Sequence, residues 1–286
     1  MKKSKIFRCI HILSLSVFII FGTALVIRLT ELQRGNEFYE QIEETGKLLP
    51  TVSETRSLPM LSPVQPGVRE DQECESIPPQ PHELSLRLSH FAKEYSDAAI
   101  WLQIPDTPLD YPVMLGADNR FYLDHLPNGD KNALGSLFLD YRANEDSVHL
   151  IVYGHNGSGG TMFGLLKQYE SQDYFLEHKT LTIATSDAVY VCPIFSVRRV
   201  EAGGSAYRLE FEDNNSLTDY INQAAAESLY QIDVELEGAE RVLTLSTCTG
   251  WRNQRFIVQA IIVRACPPLY RNHHEHPQGR ACQPSA

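Results

Sequence analysis

The chain has 286 residues, 43% of them hydrophobic, and a formal net charge of −11. That length suits one or two domains, and the apolar fraction is that of a chain with a real core. The acidic balance excludes nucleic acid as the main partner, because phosphate recognition needs a basic surface.

In chain order, the first feature is an uncharged stretch from Cys9 to Ile27, bracketed by Arg8 and Arg28. At the helical rise this length is just enough to cross the hydrocarbon core of a bilayer. No small-x-small cleavage site follows it, so a retained anchor is expected rather than a cleaved signal peptide. Lys2, Lys3, Lys5 and Arg8 precede the span, and Glu31, Glu37, Glu40, Glu43 and Glu44 follow it. The positive-inside rule then places the N-terminus in the cytoplasm and the rest of the chain outside, a single-pass type II topology.

Residues 29–47 are polar and of helical composition, and residues 49–81 carry seven prolines with no apolar period. Residues 30–81 are therefore expected to be an extracellular stalk that holds a folded domain away from the bilayer. The domain is expected over 82–266. It opens with a helix over about 83–97, where Leu84, Leu86, Leu88, Phe91, Tyr95 and Ala99 fall partly at helical spacing. The texture then changes to short runs rich in Val, Ile, Tyr, Phe and Thr: AAIWLQIP, LDYPVM, GSLFLD, HLIVYG, TLTIAT, AVYVCPIFSVRRV, RVLTLSTC and RFIVQAIIV. Such runs predict a mainly β domain, a sandwich or a closed barrel. Helices are expected around 161–169 and over 216–229, the second with Ser216 and Asp219 as a capping box. The tail, 267–286, is polar; His273, His274 and His276 raise a metal reading, but a frayed terminus is the better default. Of the six cysteines, Cys192 and Cys266 lie in apolar runs and are expected as buried thiols. No C-x-x-C pair or calcium-type loop is present, so no cofactor is implied.

Three segments carry candidate chemistry. TLSTCTG brings Cys248 to the point where a strand-like run breaks into Gly250. IVYGHN ends a second run at His155. Arg255 opens a third run seven residues after Cys248. An imidazole and a guanidinium beside a thiol would favour the thiolate, which is the nucleophilic form. His155 would protonate a departing amine and later deprotonate an incoming one, while Arg255, permanently charged, would donate to a tetrahedral oxygen. Taken singly, each has a plainer explanation: a small buried thiol, a turn cap, a surface charge. Cys248 and His155 lie far apart in sequence, and spacing alone does not bring them together.

At these residues the sequence resembles the sortase family, and within it class B. TLSTC at 244–248, YGHN at 153–156 and RFIV at 255–258 are similar to the family's three signature segments. WLQIPDTPLDYPVM, DNRFYLDH, GSLFLDYR and GTMFGLLKQY, upstream and in order, extend the similarity over about residues 84–265. The resemblance implies a closed β-barrel of about eight strands with peripheral helices, preceded by a transmembrane helix. It implies a Gram-positive membrane enzyme, a cysteine transpeptidase. Such an enzyme cleaves a C-terminal sorting signal of secreted proteins after Thr, holds the acyl group as a Cys thioester, and passes it to a peptidoglycan-precursor amine. Cys248, His155 and Arg255 match its catalytic trio, and Ser246, Tyr153 and Asn119 fall at positions that would line the substrate groove. Arg252, inside the short Cys-to-Arg connection, is a rival for the oxyanion role. Thr249 and Gly250 stand where some relatives carry acidic residues. A pilin-polymerising enzyme, a cysteine peptidase that hydrolyses the same bond, and a non-catalytic extracellular binding module remain as alternatives.

Overall fold

In the computed structural model the described residues are 2–47, 83–249 and 253–264. The expected linker beyond Lys47, Arg252, Cys266 and the histidine-bearing tail lie outside them. All eight strand-like runs form strands: β1 Ala98–Gln103, β2 Asp110–Met114, β3 Leu137–Leu139, β4 His149–Tyr153, β5 Thr180–Ala184, β6 Val189–Glu201, β7 Val242–Cys248 and β8 Gln254–Ile261. A two-residue β9, Val263–Arg264, adds to β6. The order β5-β1-β2-β3-β4-β7-β8-β6 closes on itself because β6 also pairs with β5. The result is an eight-strand barrel, which removes the unpaired edges an open sheet would present. β6 achieves closure by its length: its first half pairs with β5 and its second with β8.

The barrel interior is filled by alternate residues of each strand. Leu102, Val113, Leu137, Leu139, Val152, Leu243, Leu245 and Val258 are all fully buried in one cluster. The other face of β4, β7, β8 and β6 is also covered. The connection from β6 to β7 lies across it, with α4, Asn214–Ala226, packing Leu217, Tyr220, Ile221 and Ala224 against Phe195 and Val242. This helix begins two residues earlier than the sequence suggests. Its N-cap is Asp213, whose carboxylate accepts from the Ser216 N–H while the Ser216 hydroxyl answers the cap, so Ser216 is the third residue of the box rather than its start. The helix expected around 161–169 is a 3-10 segment, Phe163–Glu170, followed by the short α3, Gln172–Glu177. The opening helix of the domain, α2, is Glu83–Phe91 and stops short of the expected 97.

Polar side chains bridge the covered face. His149 donates from Nδ1 to the Arg208 carbonyl at 2.6 Å and accepts at Nε2 from the Thr244 hydroxyl at 2.7 Å. Gln259 donates to Thr244 and to Tyr220, and Arg198 donates to Gln259 and pairs with Glu227. His149 is wholly buried, and burial pushes its imidazole down to about 4. Its folded pKa is therefore below its unfolded one, so the neutral form contributes stability that is complete above about pH 6.5 and lost as pH falls towards 4. Between about pH 7.5 and about pH 5 the expected loss is about 2 kcal/mol. Urea midpoints measured across that window should fall for the native chain and stay flatter for His149→Gln.

The N-terminal helix α1 runs unbroken from Lys2 to Lys47. Its apolar part is exposed, with an 18-residue window of mean hydropathy 2.0, and is a candidate membrane anchor. The following turns pack on the domain. Tyr39 donates to the Gly135 carbonyl at 3.0 Å and contacts the Ser136 hydroxyl, and Asn132 donates to the Glu31 carbonyl at 2.6 Å. Gly35 is a glycine because the Asn132 amide stands where a Cβ would go, 2.9 Å away. The segment 29–47, of helical composition, is helix here, and between Glu31 and Ile42 it packs on the domain. Its aromatic side chains Phe38 and Tyr39 find edge-to-face partners in Tyr95 and Tyr111.

Candidate active site

β7 ends at Cys248, whose side chain is exposed. Its neighbour on one side is β8, where Cys248 stands opposite Arg255 in antiparallel register. Its neighbour on the other side is β4, which pairs in parallel with Tyr153 opposite Ser246. The pairing continues past the strand end: Gly154 N–H donates to the Ser246 carbonyl, and the Thr247 hydroxyl donates to the Gly154 carbonyl at 2.9 Å. Carried two residues past the end of β4, the register that pairs Tyr153 with Ser246 would set His155 beside Cys248, which stands opposite Arg255 on β8, with neighbouring strands about 4.8 Å apart. Asn156 extends the clamp, donating to the Cys248 carbonyl at 3.1 Å.

The imidazole is oriented by main chain. His155 Nε2 meets the Leu123 carbonyl at 2.5 Å. A carbonyl only accepts, so Nε2 carries the proton and Nδ1 is the nitrogen left to exchange one. The loop after His155 is closed by Phe163 N–H donating to the His155 carbonyl and by a bridge between Asn156 and Met162. Met162 takes φ 52°, a left-handed conformation unusual for a residue with a Cβ, and its side chain is fully buried. Gly154 is required in this motif, because Leu137 and Phe163 side chains occupy the space of a Cβ there.

The other expected residues gather beside this trio. Ser246 is 2% exposed and bonds Tyr207 OH through its hydroxyl at 2.8 Å, so it faces that ring rather than solvent. Tyr153 stacks on Tyr207, with centroids 6.1 Å apart, and donates to Asp140 at 3.0 Å. Asn119 donates to the same carboxylate at 3.1 Å and accepts from the Tyr141 N–H. Next to it, the Asp118 carboxylate accepts from the Arg120 and Phe121 N–H groups.

A family model described as the sortase domain matches residues 102–263. The chain is 31% identical over 186 residues to sortase B of Listeria monocytogenes, covering 76% of that protein and 63% of this chain. The solved structure of a Staphylococcus aureus sortase B–substrate complex superposes with TM-score 0.60 at 26% identity, over 64% of this chain and 87% of that one. Clostridium perfringens sortase B superposes with TM-score 0.58 at 30% identity, over 61% of this chain and 98% of that one. The chain belongs to the sortase family, class B. It is a cysteine transpeptidase of that family, and its closed eight-strand barrel is the sortase barrel.

Two features of this sortase's site were not read from sequence. Asp140 is buried, yet burial, which raises a carboxyl pKa, is outweighed by bonds from Arg142 side chain and backbone, Tyr153 and Asn119 that hold it at about 2. It is the hub that fixes Tyr153 and Asn119, and GSLFLDYR contained it without marking it. Tyr207 comes from the β6–β7 connection, in a stretch with no periodic pattern, and nothing in the sequence pointed to it. No group of three or more metal-ligating side chains occurs among the described residues.

A cavity of about 320 Å³ opens at Cys248 on the side away from these aromatics. Thr247, Phe256 and Arg199 belong to the barrel-inward parity of their strands, and the 3-10 segment adds Lys167 and Glu170.

Proposed function

We propose that Cys248 is the nucleophile, His155 the proton carrier and Arg255 the oxyanion donor of this transpeptidase. The observation that supports the assignment is the pairing of Cys248 with Arg255, beside a β4 register that runs from Tyr153–Ser246 towards His155 at the neighbouring strand end. The Cys248 thiolate attacks the carbonyl of the scissile peptide bond. His155 Nδ1, with Nε2–H held by Leu123, delivers a proton to the departing amine. The acyl group stays on sulfur as a thioester until a second amine takes it and surrenders its proton to the same nitrogen. Arg255 supplies the planar donor fork for the tetrahedral oxygen.

The donor in this reading is a C-terminal sorting signal of a secreted protein, lying over Tyr153, Asn119 and the Ser246–Tyr207 pair. The acceptor is an amine of a peptidoglycan precursor. Residues 1–29 form the cytoplasmic tip and anchor, and the catalytic domain, 82–266, faces outward, as the charge asymmetry around the apolar stretch supports. Docking begins within three residues of Leu29, about 5 Å along a helix, so the domain rests close to the bilayer. Incubation of the full chain with peptides carrying Thr at the scissile position, followed by mass spectrometry, tests the reading. An acyl adduct on Cys248 that an added amine discharges is the expected result. An adduct elsewhere, or discharge by water alone, would overturn it.

A further inference from the structure

Cys248 is exposed and also lines the cavity, so it is approached from two sides. One is the outer face of the barrel, shared with Arg255, Ser246 and the Tyr153–Tyr207 stack. The other is the cavity at the barrel mouth, walled by Thr247 and Phe256 from the opposite parity and roofed by the 3-10 segment. A donor peptide laid over the outer face leaves the second approach open to the nucleophile that discharges the thioester.

The charge of that cavity is specific. Glu170 and Arg199 form an ion pair at 2.7 Å across its rim. Lys167, one turn of the same segment before Glu170, is exposed and has no carboxylate partner among the described residues. The rim therefore carries two cations against one anion, a local positive excess on a chain of net charge −11. Fixed charge of this sign around a small concavity raises the local concentration of anions and binds carboxylates through charge-assisted hydrogen bonds.

We propose that this cavity is the acceptor site, and that it takes an amine whose own molecule bears a carboxylate, bound by Lys167 and Arg199. The inference rests on the transpeptidase assignment of Cys248 and names the chemistry of its second substrate. In the step concerned, the amine nitrogen bonds to the thioester carbonyl and the C–S bond breaks. The nitrogen's proton passes through His155 to the leaving sulfur, regenerating the thiol with no other reactant. Glu170 holds the Arg199 guanidinium over the rim, so it is a positioning residue.

The test uses the full chain in detergent, acylated on Cys248 by a short peptide thioester ending in Thr. Glycine, diglycine and triglycine are then offered as acceptors, each against its C-terminal amide, and the ratio of transfer product to hydrolysis product is read within each variant. The native chain should favour the carboxylate form over the amide by about five- to tenfold, roughly the worth of one to two solvent-exposed ion pairs. Lys167→Gln and Arg199→Gln should each bring the ratio towards one by weakening the carboxylate form alone, and Lys167→Glu should invert it. Equal use of both forms by the native chain, or a preference that survives these substitutions, overturns the proposal. If Cys248 forms no acyl adduct, the transpeptidase assignment falls and the acceptor site with it. An adduct that discharges without discrimination removes the acceptor site alone.

Discussion

A Cys248→Ala variant is expected to form no acyl adduct and to lose cleavage and transfer together, and His155→Ala to lower the cleavage rate by on the order of 10⁴-fold. The two losses have different origins. Without the sulfur there is no atom to carry the acyl group, so what remains is the rate of a peptide bond held in a groove. Without the imidazole the thiol remains, but no positioned base takes its proton and no acid meets the leaving amine. The structure also predicts which thiol reacts. Cys248 is exposed at a strand end, whereas Cys192 lies in the barrel core and burial pushes its thiol up to about 12. A methanethiosulfonate reagent at neutral pH should label Cys248 and leave Cys192 untouched in the folded chain. Full cleavage by Cys248→Ala, or labelling of Cys192 alone, would contradict the site as built.

Arg255→Lys is expected to lower kcat/KM by about 10²- to 10³-fold, with kcat carrying most of the loss, and Arg255→Ala to fall at least as far. Lysine keeps the charge but not the planar fork of donors, so an effect of charge alone would leave it near the native rate. In the free enzyme one Arg255 Nη donates to the Gln254 carbonyl at 3.1 Å, which steadies the guanidinium beside Cys248 without using its remaining donors. Because the oxygen it serves exists as an anion only in the tetrahedral species, KM should change little. A variant Arg255→Ala with native kcat/KM would move the oxyanion role to another group, and Arg252 would be the first to examine.

Much of the barrel was legible from residue type. Each of the eight runs dense in Val, Ile, Leu and aromatic residues became a strand, because such side chains suit a pleated, half-buried surface and Gly, Pro and Asn punctuate the turns between them. The ends of those runs were legible too, and with them the position of Cys248, His155 and Arg255 each at a break in the pattern. The resemblance to sortases added their roles, which periodicity does not encode.

Tertiary structure alone decided which ends meet. A strand's pattern specifies two faces but not its neighbour, so the parallel pairing of β4 with β7, across some ninety residues, is set by closure of the whole barrel and the packing of its interior. The same holds for Asp140, an ordinary aspartate in sequence that gathers Arg142, Tyr153 and Asn119 once β3 lies beside β4. Tyr207 reaches Ser246 only because α4 pins the β6–β7 connection over the sheet. The docking of α1 was equally hidden. Gly35, Phe38 and Tyr39 sit among charged residues that read as a solvated helix, and the surface they fit exists only after residues 132–136 have folded. Local composition reports how a segment prefers to bend and which face avoids water. Contacts between distant segments arise from shape and from the pairing of buried polar groups, properties that belong to the assembled chain.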